Sequence, residues 1–191
     1  FDTGNLIKSF GNKEAAAEAM EYMRGEVRKA GFPDMHYMMM DGGGFPFNES
    51  NKASVDNRMF LKPDSWALYN MGGFDPDYMR HGQNAIDYRN GWDSYMDIPV
   101  FPTVSIGWDD TPRFPAKGEN DVTRFNHSPE AFKNFLKEAK RYADEHPEQP
   151  KFVMINAWNE WVEGSYLLPD RYWGYGWLEA VKEVFGPVEE K

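Results

Sequence analysis

The chain contains no cysteine among its 191 residues, which excludes disulfides, thiolate metal sites and cysteine nucleophiles. Histidine is scarce: His36, His81, His127 and His146 are the only four, and no two stand at metal-ligand spacing, which argues against zinc. No apolar run approaches the roughly 20 residues needed to cross a bilayer. Basic side chains are in the minority, 21 against 31 acidic ones, leaving a formal charge of −10. Such a charge repels nucleic-acid phosphates and anionic membranes, so neither is an expected partner, whereas a neutral or cationic small substrate is compatible with it. No serine lies in a nucleophile-elbow pattern. Gly42-Gly43-Gly44 lacks the Lys and Ser or Thr of a phosphate loop and reads as a turn. The chain opens on Phe1 with no secretory leader ahead of it, so the expectation is a domain truncated at its N-terminal side. The compartment is not fixed by these residues; a periplasmic or secreted location is the favoured expectation.

What is present is an ordinary globular balance, 41% hydrophobic and 27% charged, of a length suited to one domain over residues 1–191. Aromatic residues make up 16%, a high share that fits an aromatic core, an aromatic-lined cleft, or both.

Helical and extended patterns alternate along the chain. Ala16, Ala19, Met20, Met23, Val27 and Ala30 recur at helical spacing between an Asn12 cap and a Gly31 stop. A strand is expected over Met35 to Met40, a weaker helix over Ala53 to Leu61, and a short strand over Trp66 to Tyr69. Asp75-Pro76 opens another helix, with Met79, Ile86 and Tyr95 as its candidate inner face, although Gly82 and Gly91 weaken the pattern. Pro99 to Ile106 reads as the third strand. Ser128 and Pro129 begin the clearest helix, whose stripe is Phe132, Phe135, Leu136, Ala139 and Tyr142. Lys151 to Ala157 gives the fourth strand, and Tyr175 to Phe185 a closing helix with Trp177, Val181 and Val184 or Phe185 inward.

Strands separated by helices predict an α/β fold with a parallel sheet. Four strands are half of a (β/α)₈ barrel, so the expected architecture is a partial TIM barrel, about its C-terminal half; an open doubly wound sheet is the alternative. In either fold the carboxyl ends of the strands share one face, where sites are assembled. The residues expected there are Asp41 with its three glycines, Tyr69 with Asn70, Trp108 with Asp109 and Asp110, and the run from Asn156 to Glu163.

That last run carries the most chemistry. Asn156, Trp158, Asn159, Glu160, Trp161, Glu163 and Gly164 follow an apolar strand and place two carboxylates three residues apart between indole rings. Glycosidic bond cleavage typically uses two carboxyl groups, and flat aromatic faces complement a pyranose ring. In one turn the two acids are close enough that one pKa is pushed up, providing a general acid. The plainer alternative is a core of Trp158 and Trp161 with acids opening a helix, but a helix start asks for one capping residue rather than Asn156, Asn159 and Gly164 together. In Trp108-Asp109-Asp110-Thr111-Pro112-Arg113, Arg113 can pair one acid while another meets a substrate hydroxyl, or the whole can be a salt-bridged turn. Asp109, Asp110, Glu160 and Glu163 could alternatively surround a hard cation. Tyr37, Tyr69, Tyr172 and Trp173 read as core or rim aromatics, and His127 as a loop residue.

The segment Ile155 to Gly164, followed by Leu167-Leu168-Pro169-Asp170 and Tyr175-Gly176-Trp177-Leu178-Glu179-Ala180, resembles the end of glycoside hydrolase family 99-like (WbsX-like) domains. Gly107 to Arg113 is similar to their other signature. The resemblance implies a (β/α)₈ barrel that cleaves internal α-mannosidic bonds with retention, acts on an oligosaccharide or polysaccharide, and needs no metal or organic cofactor. It further implies that Glu160 takes the proton from the sugar 2-hydroxyl to form a 1,2-anhydro intermediate, and that Glu163 is the general acid and base. Tyr69, Trp108, Asp109, Asp110, Arg113, Asn156, Trp158, Asn159 and Trp161 are the expected substrate contacts. Such domains also occur in bacterial polysaccharide-biosynthesis proteins, so a biosynthetic or non-hydrolytic glycan-binding role is the alternative. Val162 stands where mannan-cleaving members have His. Half a barrel also leaves open strand edges, to be covered by the missing half or by self-association.

Overall fold

The computed structural model describes residues 3–41, 49–70, 75–115, 122, 123 and 125–186, with the Gly42–Gly44 turn outside them. Helices α1 (Thr3–Phe10) and α2 (Lys13–Lys29) precede strand β1 (Met38–Asp41), followed by α3 (Glu49–Met59), β2 (Ser65–Leu68) and α4 (Tyr78–Asp93). Strands β3 (Val100–Phe101) and β4 (Thr103–Ser105), helix α5 (Pro129–Glu145) and strand β5 (Met154–Asn156) come next. The chain then forms the hairpin β6 (Asn159–Glu160) and β7 (Ser165–Tyr166) around a 3₁₀ turn (Trp161–Glu163), and closes with α6 (Gly176–Phe185).

The parallel strands pair in chain order: β1 with β2, β2 with β3, and β4 with β5. β3 and β4 are one expected strand interrupted at Pro102, which has no N–H to give a ladder. The interruption lets one segment serve two neighbours. Thr103 Oγ1 donates to the Leu68 carbonyl at 2.6 Å, and the Pro102 carbonyl accepts from Met154 at 2.9 Å on the β5 side. The order contains no reversal, so among the described strands there is no switch point of the doubly wound kind.

Among the described residues, three apolar clusters hold the elements together. The largest joins β4 to α5 and α6 through Val104, Ile106, Phe132, Leu136 and Trp177. A second packs Met39, Trp66, Val100 and Trp92 between β1, β2, β3 and α4. The third seats Leu6 and Ile7 of α1 on Ala16 and Met20 of α2.

Helix α5 forms as expected, with the Ser128 side chain accepting from Ala131 N–H at 3.2 Å and the whole predicted stripe buried. Helix α4 differs. Its cap is Asp77, and its buried face is Tyr78, His81, Gly82, Ala85, Arg89 and Trp92, whereas Met79 is exposed. Arg89 can be buried because its guanidinium makes two bonds to Glu138, at 3.0 and 2.9 Å, and lies 4.0 Å over the Tyr142 ring. Gly82 is structural, since a Cβ there would lie 2.1 Å from Phe135 Cζ. In α2, Arg24 takes an inner position in place of Met23 and reaches the Met35 carbonyl and Asp64. In α6, Trp177 is buried and Val181 and Val184 pack against the same cluster as expected, together with Ala180, while Phe185 is exposed.

Candidate active site

Because β2, β4 and β5 run parallel, Tyr69, Trp108 and the 156–164 segment all leave the sheets on one side. Asn156 ends β5 and is 3% exposed. Ser165 Oγ lies 2.8 Å from both the Asn156 carbonyl and its Oδ1, and Ser105 Oγ lies 3.3 Å from the same Oδ1. These hydroxyls hold the amide by its Oδ1, and the buried Nδ2 faces away from them, beside the Tyr69 phenol. The Asn156–Ala157 peptide is cis.

The β6–β7 hairpin then turns tightly. Glu160 stands immediately before the 3₁₀ turn and Glu163 ends it, which places both acids in one turn, as the spacing suggested. Their surroundings differ. Glu160 Oε1 accepts from Tyr69 Oη at 3.2 Å and is half-buried. Glu163 is buried, 7% exposed, and its Oε1 pairs with Arg113. Burial raises the Glu163 pKa above its ordinary value; the Arg113 charge opposes this, while Glu160 and Asp110 reinforce it. Burial also raises the Tyr69 phenol, helped by the negative charge of Glu160 and Glu163, so the phenol stays a donor.

The 107–113 loop is clamped to this turn by backbone. Asp109 N–H donates to the Glu163 carbonyl at 2.7 Å. Gly164 sits at φ +61°, and a Cβ there would lie 2.8 Å from Asp109 Cβ. Asp109 Oδ1 is held by the Thr111 amide and hydroxyl at 3.0 and 2.6 Å, which fixes the loop that carries Arg113. Asp110 is buried within reach of the Glu163 charge.

The structure thus brings together Tyr69, Asp109, Asp110, Arg113, Asn156, Glu160 and Glu163. The aromatic candidates are placed differently. Trp158 is 56% exposed, and Asn159, next to Glu160 on a strand, projects to the opposite face. Trp161 is 47% exposed and stacks on Tyr166 with centroids 4.0 Å apart, so one face of its indole is taken by protein. Tyr37 is core, 3% exposed. Among the described residues, no three acidic or histidine side chains are grouped to hold a metal ion.

Beside the turn lies a cavity of about 440 Å³, bounded by Trp108, Tyr166, Tyr172 and Trp173 and floored by His127 and Trp177. Gly164 and Asp109 line it; the two glutamates do not. His127 lies in a loop, as expected, but is packed between Tyr78 and Trp177, with centroids 5.3 and 5.0 Å away, and its Nε2 meets the Ile106 carbonyl. Its only sequence signal is its place before the α5 cap.

Comparison with known proteins fixes the family. The model of the family described as "Glycosyltransferase WbsX" matches residues 8–181, nearly the whole chain and both motif regions. This chain belongs to the WbsX family. Two relatives named "Uncharacterized protein WxcX", from two strains of Xanthomonas campestris pv. campestris, are each 36% identical over 142 residues, or 73% of this chain. Those residues amount to 18% of the relatives' length, so the chain spans under a fifth of the curated relatives it matches. No solved structure matches the chain. WbsX membership makes the protein carbohydrate-related and its name points to a carbohydrate-active enzyme, which agrees with the glycan substrate expected from the motifs.

Proposed function

We propose that this WbsX-family chain is the C-terminal half of a (β/α)₈ barrel and cleaves an α-linked, mannan-like glycan with retention, using Glu160 and Glu163. The barrel reading is supported by parallel strands paired in chain order, with the polar residues gathered at their carboxyl ends. The open edges of the sheets would be covered by the other half of the barrel or by self-association.

The observation that carries the reaction is the unequal setting of two acids in one turn: Glu163 is buried and pushed up, while Glu160 is held by a phenol. Glu163 in its protonated form gives a proton to the leaving glycosidic oxygen. Glu160 takes the 2-hydroxyl proton, so that oxygen forms a bond to C1 as the glycosidic bond breaks. Water, deprotonated by Glu163, then opens the 1,2-anhydro ring at C1 and O2 regains its proton from Glu160. Two inversions give net retention. Asn156 stands beside Tyr69, and Tyr69 holds Glu160 in place. Trp108, Trp158, Trp161, Asp109 and Asp110 would contact the sugars around this centre.

The family description favours a second reading, transfer for polysaccharide biosynthesis, in which a sugar hydroxyl replaces water in the last step. Incubating the intact protein with α-linked and β-linked oligosaccharides, and following product anomers by NMR, tests both. Retained monomer or shorter chains support hydrolysis, and longer chains support transfer. Glu163→Gln is expected to abolish turnover of unactivated glycans while binding persists; full turnover by that variant refutes the assignment.

A further inference from the structure

The cavity beside the Gly164 turn is not explained by bond cleavage, because neither glutamate lines it. It is nevertheless built like a ligand site. Its volume of about 440 Å³ falls within the range of small-molecule pockets, and its walls are aromatic with a few fixed polar groups. Asp170 organises one wall: its carboxylate accepts from the backbone N–H groups of Tyr172 and Trp173, at 2.7 and 2.5 Å, fixing the turn that presents both rings. Tyr172 is left 82% exposed, with its ring edge-on to Trp173 at 4.6 Å. An exposed aromatic held in place this firmly has no packing role to account for it.

The charge of the lining selects the occupant. Among the described residues, Asp109 and Asp170 line the cavity and no Lys or Arg does. His127 is the one base among the described lining residues, and burial lowers its pKa, favouring the neutral imidazole. An anionic sugar would meet these two carboxylates.

We propose that this cavity is a second glycan subsite, in which Tyr172 and Trp173 stack on an uncharged hexose unit while the Gly164 turn it adjoins presents the carboxylate pair to a neighbouring unit. The inference deepens the glycan-processing reading and rests on it for the second half of that statement.

The test is a titration of tryptophan fluorescence in the full chain carrying Glu163→Gln, so that turnover does not consume the probe. The probes are α-mannotetraose, maltotetraose and cellotetraose as neutral chains, and tetragalacturonate as an anionic one. At least one neutral chain is expected to bind, with tetragalacturonate at least ten-fold weaker. Tyr172→Ala is expected to weaken neutral binding about ten-fold, equivalent to about 1.4 kcal/mol, and Tyr172→Phe to retain it. Tyr22→Ala, which removes a comparably exposed ring from α2, is the control and leaves binding unchanged. Equal binding by Tyr172→Ala and the parent, equal binding of tetragalacturonate, or no binding of any neutral chain overturns the subsite. Failure of the carboxylate assignment is read separately, from turnover with Glu163 restored to one arm and replaced in the other.

Discussion

Gly164 offers the sharpest test of how the site is assembled, because the same chain contains its own reference. Gly164 and Gly174 have nearly the same backbone, φ +61° and +57°, but a Cβ on Gly174 meets nothing within 4 Å. Replacing either by Ala imposes the left-handed penalty of an L-residue, about 1 kcal/mol. At Gly164 the new methyl would also stand 2.8 Å from Asp109 Cβ and 3.1 Å from its backbone nitrogen, neither of which is a flexible side-chain end. The 107–113 loop must retreat, and the 2.7 Å bond from Asp109 N–H to the Glu163 carbonyl is lost or stretched, a further loss of about 1 kcal/mol, with about 1 kcal/mol more for overpacking. Urea denaturation should therefore show Gly174→Ala down by about 1 kcal/mol and Gly164→Ala by about 3 kcal/mol. Arg113 rides on the displaced loop, so turnover of the glycan should fall about 100-fold in Gly164→Ala, as a displacement near an ångström is expected to cost. Equal destabilisation of the two variants, or full activity in Gly164→Ala, would show that the loop is not clamped in this way.

Tyr69→Phe removes the phenol that holds Glu160, and kcat should fall about ten-fold with folding stability nearly unchanged; an unaltered kcat would take Tyr69 out of the site. Arg113→Met removes the charge that opposes the rise in the Glu163 pKa. A general acid works while protonated, so the alkaline limb of the pH–rate profile should move to higher pH, and a shift to lower pH contradicts the assignment. The raised Glu163 pKa also means that the folded chain holds this proton more tightly than the unfolded one. Stability should then decline as pH rises from the ordinary glutamate pKa through the raised one, and Glu163→Gln should flatten that decline in denaturation curves taken across the window. Glu138→Ala leaves the Arg89 guanidinium buried without its two carboxylate bonds and should cost about 3–5 kcal/mol in urea denaturation; a loss below about 1 kcal/mol would show that solvent reaches it.

The alternation of strands and helices was legible because period-2 and period-3.6 patterns depend only on neighbouring residues. So were the Ser128 and Asn12 caps, whose side chains bond amides three residues ahead. Helix α1 was not legible, since eight residues containing Gly4 carry little helical preference of their own and are held by Leu6 and Ile7 on α2. The inner face of α4 was misread at Met79, because His81 and Arg89 are polar residues on the buried face, and Arg89 is buried only by virtue of Glu138, 49 residues away.

The acid pair follows the same division. Three residues of spacing were enough to put Glu160 and Glu163 in one turn. What distinguishes the two acids lies far away in the chain: Tyr69 is 91 residues from Glu160, and Arg113 is 50 from Glu163. The cavity beneath Tyr172 likewise depends on Asp109 and His127, from the two ends of the β4–α5 connection, meeting Trp177 of α6. The sequence by itself determined the local elements and the presence of paired carboxylates, since both depend on short-range geometry. Only the tertiary structure decided which acid is buried, which is held by a phenol and where the aromatic rings open a cavity, because desolvation and charge proximity are properties of what the fold packs around a group.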